Sequence, residues 1–370
     1  MAAARANLPR GSLPFAIIVA VSIALLFLFA PVRRAKGLAA GELSLAAPLP
    51  DKVPPGVVLR IGDPVNSWIF QHLGWDKTLP FRIQWAEITG GPGVTEAFHA
   101  GALDVGYGVN VPPIHATWSG IPVRIIAYRQ FSDPARALYT IGLAPGSKIR
   151  TIQDLKGKRI AFSPSQIQAQ VVLQTLKAAG IDRKDVHLIE LPSSIGGDVY
   201  TNSLASNEVD AAPLGLGLVA HHYITKYGDD GARLLPHPPF RDDGAVLYVP
   251  ETALNDPGKA AALRVYVRYW GRALAWANAH PEELARGYYV GMRGLPIGDA
   301  RLQVAALGPG AIPDQWSGAV AGEQNAIDTL APATGRPRFD AATLFDRRFE
   351  KTASDGFRDE QTCSHCGARR

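Results

Sequence analysis

Cysteine is almost absent from this 370-residue chain, because its two cysteines, Cys363 and Cys366, both lie among the last eight residues. The rest of the chain can therefore form no disulfide, and a chain of this length builds a core large enough to need none. The ending CSHC offers two thiolates and the imidazole of His365, whereas a closed structural zinc site takes four protein ligands. No second CxxC supplies the fourth, so we expect no metal site and a disordered tail over residues 351–370.

Concentrated charge is missing as well. Lys and Arg total 38, Asp and Glu total 33, the net charge is +5, and no five like charges stand together. Nucleic-acid-binding proteins concentrate basic residues in patches or runs. We therefore expect no nucleic acid partner. The mild positive excess could suit an anionic ligand, but an ordinary solvated surface is the better explanation of it.

Four motifs that carry chemistry are absent from the sequence. They are the phosphate-binding GxxxxGK[ST], the dinucleotide-binding GxGxxG, the nucleophile-bearing GxSxG and the zinc-binding HExxH. His221 and His222 are adjacent, so on a helix their rings point in different directions and do not share a metal. We therefore expect no cofactor and no catalysis, and an ATPase, if one is needed, must be a separate chain.

Residues 13–32 are apolar without a single charge. The run is long for the core of a signal peptide and just long enough to cross a bilayer. Residues 1–41 are therefore either an export signal, cut near Ala39-Ala40-Gly41, or a retained N-terminal membrane anchor, and residues 42–56 are a linker. In both cases we expect a periplasmic or otherwise extracytoplasmic protein, anchored to the cytoplasmic membrane if the segment is retained.

Strand and helix patterns alternate twice from residue 57 onward, and helices dominate the remainder. Such alternation predicts parallel-type sheets with crossover helices. Two α/β halves need two crossing strands if the chain returns from the second half to the first, and Leu138–Leu143 and Ala245–Val249 are the candidates. We therefore predict one lobe from residues 57–140 and 246–350, and another from residues 141–245.

The stretch over residues 85–126 contains two strand–helix units. Thr89 to Gly93 turns the chain and opens a helix, with Thr89 as the candidate cap and glycines that leave backbone N–H groups accessible. The next strand ends at Asn110, where a proline pair opens another helix. Ligands in α/β sheets bind where strand ends face helix N-termini. This stretch is therefore the predicted floor of a binding site.

A further helix start is predicted in the other lobe. Ser163-Pro164-Ser165 follows a short strand and opens a helix that ends at Gly180. The pattern gives this helix an apolar face and a glutamine-rich face. The apolar face holds Ile167, Val171, Val172, Leu176 and Ala179, and the polar face holds Gln168, Gln170, Gln174 and Lys177.

Strand ends and helix starts together give eight candidate ligand contacts. They are Asn66, Ser67, Gly91, Tyr107, Asn110, Ser163, Ser165 and Gln166. Unpaired N–H groups and the helix dipole make such positions suited to an anion. For some of them a structural explanation is equally good: Ser163 and Ser165 as helix caps, Asn110 as a turn residue and Tyr107 as part of the core.

Four segments of the chain carry a family resemblance. They are Trp85-Ala86-Glu87, Gly90-Gly91-Pro92, Glu96-Ala97-Phe98 with its continuation to Gly106, and Pro112-Pro113-Ile114. The sequence resembles the substrate-binding proteins of aliphatic-sulfonate ABC importers, whose related branches handle taurine, nitrate and thiamin-precursor ligands. The resemblance implies a bilobed periplasmic-binding-protein fold of type II, with two sheets joined by crossing hinge strands. It also implies a small organic anion as ligand, and an ABC permease with a separate ATPase as partner.

The sequence departs from that family at the ligand site. The usual Ser/Thr-Gly-Asp after the third strand is replaced by Gly108-Val109-Asn110, and a common Trp-Asp pair of the second lobe is replaced by Pro213-Leu214-Gly215. These changes favour a less polar or differently charged ligand, with a sulfonate as the leading expectation. We also expect the predicted ligand to bridge Asn110 on one lobe and residues 163–166 on the other.

Two other functions fit the same architecture. One is an enzyme that resembles the sulfinate desulfinases or the pyrimidine-precursor synthases, but a desulfinase needs a cysteine in its cleft and both cysteines here lie in the tail. The other is an anchored ligand sensor, which a retained N-terminal segment would favour.

Overall fold

The computed structural model describes residues 41–88, 90–192 and 198–367. The predicted export or anchor segment and the predicted cap Thr89 lie outside the described residues. Within the described part of the chain, no helix is both long enough and apolar enough to cross a membrane.

Two β-sheets flanked by helices form the described structure. The strands are β1 (Val58–Gly62), β2 (Arg82–Trp85), β3 (Val105–Val109), β4 (Val123–Phe131), β5 (Tyr139–Leu143), β6 (Arg159–Phe162), β7 (His187–Glu190), β8 (Ala211–Gly215), β9 (Arg233–Leu235), β10 (Ala245–Pro250) and β11 (Gly310–Ala311). The helices are α1 (Pro64–His72), α2 (Gly91–His99), α3 (Val111–Trp118), α4 (Ile167–Ala178), α5 (Asp198–Ala205), α6 (Leu218–Tyr227), α7 (Glu251–Asn255), α8 (Pro257–Ala279), α9 (Pro281–Leu284), α10 (Ile297–Leu307), α11 (Ser317–Thr334) and α12 (Thr352–Gly367). A π-helix spans Ala285–Met292, directly after α9.

Both sheets are mixed, with a parallel half and an antiparallel half. The first sheet has the order β11-β4-β10-β3-β1-β2 and the second the order β7-β6-β8-β5-β9. The β2-β1-β3 and β7-β6-β8 sets are parallel, as the strand–helix alternation predicts. The strands that receive the chain from the other sheet, β5 and β10, run antiparallel to their neighbours. The predicted bilobed α/β fold with two crossing connections is confirmed.

The two crossing connections are residues 132–138 and 236–244, and they are bonded to each other. Asp242 on the second accepts hydrogen bonds from the backbone N–H groups of Leu138 (2.8 Å) and Tyr139 (2.7 Å) at the end of the first. His237 Nε2 lies 3.1 Å from the same carboxylate, and both side chains are buried. Asp242 therefore links the two points at which the chain passes between the sheets.

Helix α1 begins at Pro64, directly after β1. Asp63 is its N-cap and accepts a hydrogen bond from the backbone N–H of Asn66, while Pro64 occupies the first helical turn. Asn66 and Ser67, two of the predicted ligand contacts, therefore lie inside the helix.

Helix α4 is buried on both of its faces. The glutamines expected to face solvent are inside, with Gln168 9%, Gln170 2% and Gln174 5% exposed. The covering element is α11, which packs against α4 although it lies about 150 residues further along the chain. Periodicity within one helix does not reveal such a distant partner.

The tail is ordered as a helix over most of its length, so the expectation of a disordered end is wrong for residues 352–367. Helix α12 packs along α8. Glycine makes this approach possible: a Cβ atom at Gly271 or Gly356 would meet backbone atoms of the opposite helix, Ala353 and Arg268, at less than 3.0 Å. Cys363 lies exposed on this helix.

Candidate ligand-binding cleft

A cleft of about 760 Å³ lies between the two sheets, at the ends of their strands. Asp63 follows β1, Glu87 follows β2 and Val109 ends β3 on one side. Gln166 follows β6 and Gly215 ends β8 on the other side. This is the edge at which open α/β sheets bind ligands, and the volume lies in the range typical of small-molecule sites.

The N-terminal ends of four helices reach this cleft. Its lining includes the first residues of α1, the turn that opens α2, the start of α4 and the first turn of α6. The lining residues at these four starts are Pro64, Val65, Gly90, Pro92, Gly93, Gln166, Ile167, Gln168 and Val219. Each helix start leaves backbone N–H groups without an intrahelical partner and carries the positive end of the helix dipole. The cleft is therefore suited to a negatively charged group.

Four tyrosines give the cleft walls that are both aromatic and polar: Tyr107, Tyr139, Tyr200 and Tyr288. The hydroxyl oxygen of Tyr107 accepts a hydrogen bond from the guanidinium of Arg129, which lies behind it. Burial acts to lower the pKa of Arg129, but Tyr107 and Asp63 outweigh this effect and raise the pKa, so Arg129 is cationic. Because Tyr107 accepts from Arg129, its own proton is available to donate into the cleft.

The carboxylates of the cleft are already engaged. Asp63, 1% exposed, accepts from the Nδ2 of Asn66 at 2.6 Å and from its backbone N–H at 3.2 Å. Burial raises the pKa of Asp63, while the hydrogen bonds from Asn66 and the charge of Arg129 oppose that rise. Glu87 lies 3.8 Å from Arg293, and both side chains are about half exposed. This surface pair leaves Arg293 accessible beside the cleft.

Two of the eight predicted contacts, Tyr107 and Gln166, line the cleft. Gly91 lies where the two sides approach, since a Cβ there would be 3.1 Å from the ring of Pro112 and 3.3 Å from the carbonyl oxygen of Ser165. Ser165 itself is partly buried beside the start of α4. These four positions cluster, as the strand-end argument predicts.

The other four predicted contacts lie deeper in the protein. Asn66 binds the cap Asp63, and the Oγ of Ser67 accepts a hydrogen bond from Gln71 at 3.0 Å. Ser163 is 5% exposed and is not the cap of α4, because Gln166 holds that position. Asn110, 7% exposed, donates a hydrogen bond to Gln170. Ligand contact by these four residues stays a prediction.

Residues 83–284, more than half of the chain, match the family model described as NMT1/THI5 like. The chain belongs to the NMT1/THI5-like family. A relative from Escherichia coli (strain K12), named for binding aliphatic sulfonates, is 31% identical over 105 residues. That match covers 28% of this chain and 32% of the relative, so the alignment spans about a third of the relative's length.

Solved structures share the fold of this NMT1/THI5-like protein. The alkanesulfonate-binding protein of Xanthomonas axonopodis pv. citri, solved with MOPS bound, matches with a TM-score of 0.64 and 22% identity over 79% of this chain and 99% of that chain. The desulfurization enzyme DszB matches with a TM-score of 0.50 and 14% identity over 80% of this chain and 99% of that chain. The fold therefore occurs in both a binding protein and an enzyme.

Some cleft residues of this family member gave no signal in the sequence. Tyr288 and Arg293 come from the π-helix region, far along the chain from the strand–helix units that point to the site. Tyr139 and Tyr200 come from a strand and a helix of the second half. Pro213 to Gly215 is one exception, since this segment is visible in the sequence as a departure from the sulfonate pattern and does line the cleft.

Proposed function

We propose that this protein is the extracytoplasmic solute-binding component of an ABC importer, and that it captures a small organic anion in the cleft between its two sheets. A permease with a separate ATPase would receive the ligand. Residues 1–41 would direct the chain across the cytoplasmic membrane or anchor it there. Membership of the NMT1/THI5-like family and the similarity to an Escherichia coli protein named for binding aliphatic sulfonates support this role.

The convergence of helix N-termini on one cleft carries the proposal, because the starts of α2, α4 and α6 have no side-chain cap. Backbone N–H groups hold an anion through hydrogen bonds without a full counter-charge in the site. The hydroxyl of Tyr107, backed by the cationic Arg129, adds a donor on the side of the first sheet. Gln166 at the start of α4 adds a polar group on the side of the second sheet.

The walls favour an organic ligand with an apolar body. Ile167, Leu214 and Val219 lie beside the tyrosines, and proline and glycine make up much of the rest of the lining. A ligand with one acidic group and an aliphatic or aromatic body therefore fits better than a small inorganic anion. An aliphatic sulfonate is the leading member of this class.

Binding is favoured over catalysis by the residues available. Among the described residues that line the cleft there is no cysteine, serine, histidine or lysine. The lining therefore offers hydrogen-bond donors and aromatic surface rather than the nucleophile that a desulfinase needs.

A thermal-shift screen of the purified protein tests the proposal. The panel would hold alkanesulfonates, taurine, nitrate, aromatic sulfonates, carboxylates and pyrimidines. A ligand at one hundred times its dissociation constant stabilises the folded state by about 2.7 kcal/mol, which such a screen detects. We expect a shift with organic anions, and we expect the variant Val219→Trp, which fills the cleft from α6, to reduce it. No shift with any anion, or a shift that Val219→Trp leaves unchanged, would contradict cleft binding.

A further inference from the structure

A second pocket of about 520 Å³ lies beside the π-helix. The π-helix contributes to both cavities: Tyr288 lines the cleft and its neighbour Tyr289 lines the second pocket. The two rings meet edge to face with centroids 4.9 Å apart. The π-helix therefore contributes to two neighbouring cavities, whose linings are otherwise made of different residues apart from Val65.

The walls of the second pocket are largely aliphatic. They come from α1, α8, α9, the π-helix and α10. The apolar lining residues are Val65, Leu274, Ala277, Pro281, Leu284, Ala285, Val304, Ala305, Leu307 and Pro309. A surface of this kind binds an alkyl or aryl group, because burial removes apolar area from water on both partners.

Three arginines and one carboxylate line this apolar pocket, which leaves an excess of positive charge. Arg301 forms a bidentate ion pair with Glu282, in which its Nε donates to Oε2 at 2.9 Å and its Nη2 donates to Oε1 at 2.7 Å. Arg136 donates to the backbone carbonyls of Ala305 and Ala306. The third arginine, Arg129, has no carboxylate bonded to it in the part of the chain that the structure describes.

Arg129 is the group that points to a ligand. In the described residues its guanidinium donates to the hydroxyl of Tyr107, whereas a guanidinium has five N–H donors. The charge of Asp63 raises the pKa of Arg129, but the Asp63 carboxylate is itself occupied by Asn66. A cation in an apolar setting is stabilised strongly by a bonded anion. An acidic group that enters the pocket can therefore pair with Arg129.

We propose that this pocket is a second binding site, separate from the cleft, for an organic anion with an apolar body. Its carboxylate or sulfonate group binds Arg129, and its alkyl or aryl part packs against Leu274, Leu284 and Val304. The two sites are lined by different residues apart from Val65, but Arg129 also donates to the cleft residue Tyr107.

Octanoate, octanesulfonate and the uncharged 1-octanol serve as probes in titration calorimetry with the full chain. Two variants fill the pocket from opposite walls: Ala277→Phe from α8 and Val304→Trp from α10. The matched control is Val219→Trp, which fills the cleft. Circular dichroism melting of each variant establishes that it is folded before it is titrated.

We expect both anionic probes to bind the second pocket with the same affinity in the wild type and in Val219→Trp, in which the cleft is filled. At this pocket, Ala277→Phe and Val304→Trp should bind the probes at least tenfold more weakly. 1-Octanol should bind the wild type at least tenfold more weakly than octanoate. Three results would overturn the proposal: no binding of either anion, binding that both filling variants leave unchanged, or binding that Val219→Trp abolishes. Equal affinity for 1-octanol would overturn the role of Arg129. Binding that only Val219→Trp weakens belongs to the cleft, and binding that only Ala277→Phe and Val304→Trp weaken belongs to the second pocket, so the two proposals fail separately.

Discussion

The Nδ2 of Asn110 donates a 3.0 Å hydrogen bond to the Oε1 of Gln170, and this bond joins the start of α3, after a strand of the first sheet, to α4, after a strand of the second. Both side chains are buried, with 7% and 2% of their surface exposed. Glu323 on α11 also hydrogen-bonds Asn110. Three buried polar side chains thus hold the two halves together at a point where the sequence predicts a ligand contact.

Replacing Asn110 by Ala should therefore lower stability more than ligand binding. The change leaves Gln170 and Glu323 without a buried partner, which we expect to lower the free energy of unfolding by about 1–3 kcal/mol. Urea denaturation measures the effect. The matched variant Gln170→Ala and the double variant complete a cycle whose coupling energy should be clearly above zero. Unchanged stability together with a loss of ligand affinity would show instead that Asn110 contacts the ligand.

Glu323 should make stability depend on pH. Burial raises the pKa of Glu323 well above its ordinary value of 4.5, and the hydrogen bond from Asn110 offsets only part of that rise. The folded protein therefore holds this proton more tightly than the unfolded chain does. The contribution to stability is present in full below pH 4.5 and is lost as the pH rises through the folded-state pKa.

The variant Glu323→Gln isolates this effect because its amide does not titrate. We expect wild type and variant to have similar unfolding free energies near pH 4.5, and the variant to become progressively the more stable of the two as the pH rises. Denaturant titrations over a pH series measure the difference. Two parallel stability curves would contradict the assignment of a raised pKa.

Gly271→Ala should destabilise the protein through the contact between α8 and α12. The added methyl group would meet the backbone carbonyl of Ala353, and backbone does not move aside as a flexible side chain does. Overpacking of this kind costs about 1–3 kcal/mol. The control is Gly322→Ala in α11, where nothing lies within 4 Å of the added atom and a gain of about 0.5–1 kcal/mol is expected. Equal thermal stability of Gly271→Ala and wild type would mean that α12 does not pack on α8.

Tyr107→Phe should weaken the cleft's affinity for an anion, although it also removes the hydroxyl that accepts from Arg129. The change removes the donor that Arg129 supports, and a hydrogen bond to a charged group contributes about 1.5 kcal/mol or more, which corresponds to at least tenfold in dissociation constant. The control is Tyr248→Phe, since the buried hydroxyl of Tyr248 has no hydrogen-bond partner among the described residues. Calorimetric titration with the best ligand of the screen compares the two, and equal affinities would exclude Tyr107 as a ligand contact.

Local patterns predict most of the strands and helices. The crossing strands predicted at Leu138–Leu143 and Ala245–Val249 are observed at Tyr139–Leu143 and Ala245–Pro250. The tail is missed because its contact with α8 depends on backbone approach at Gly271 and Gly356, which hydrophobic periodicity does not register. The burial of Gln170 is missed because α11, which covers it, is distant in sequence.

The cleft is predicted in part for the same reason. Tyr107 and Gln166 are found because each lies near a strand end or a helix start, positions that the sequence marks with glycine, proline and serine. Tyr288 and Arg293 reach the cleft from elements whose position only the folded chain determines. Local rules therefore locate the floor of the site and miss the side that the C-terminal helices supply.

The carboxylate of Asp242 couples the two crossing connections to each other. It sits on the segment 236–244 and binds both Leu138 and Tyr139 at the end of the segment 132–138. Neither segment can twist alone without breaking hydrogen bonds to a buried charged group, which are among the stronger ones in a protein. A rotation of one half against the other that keeps these hydrogen bonds would therefore turn both segments together.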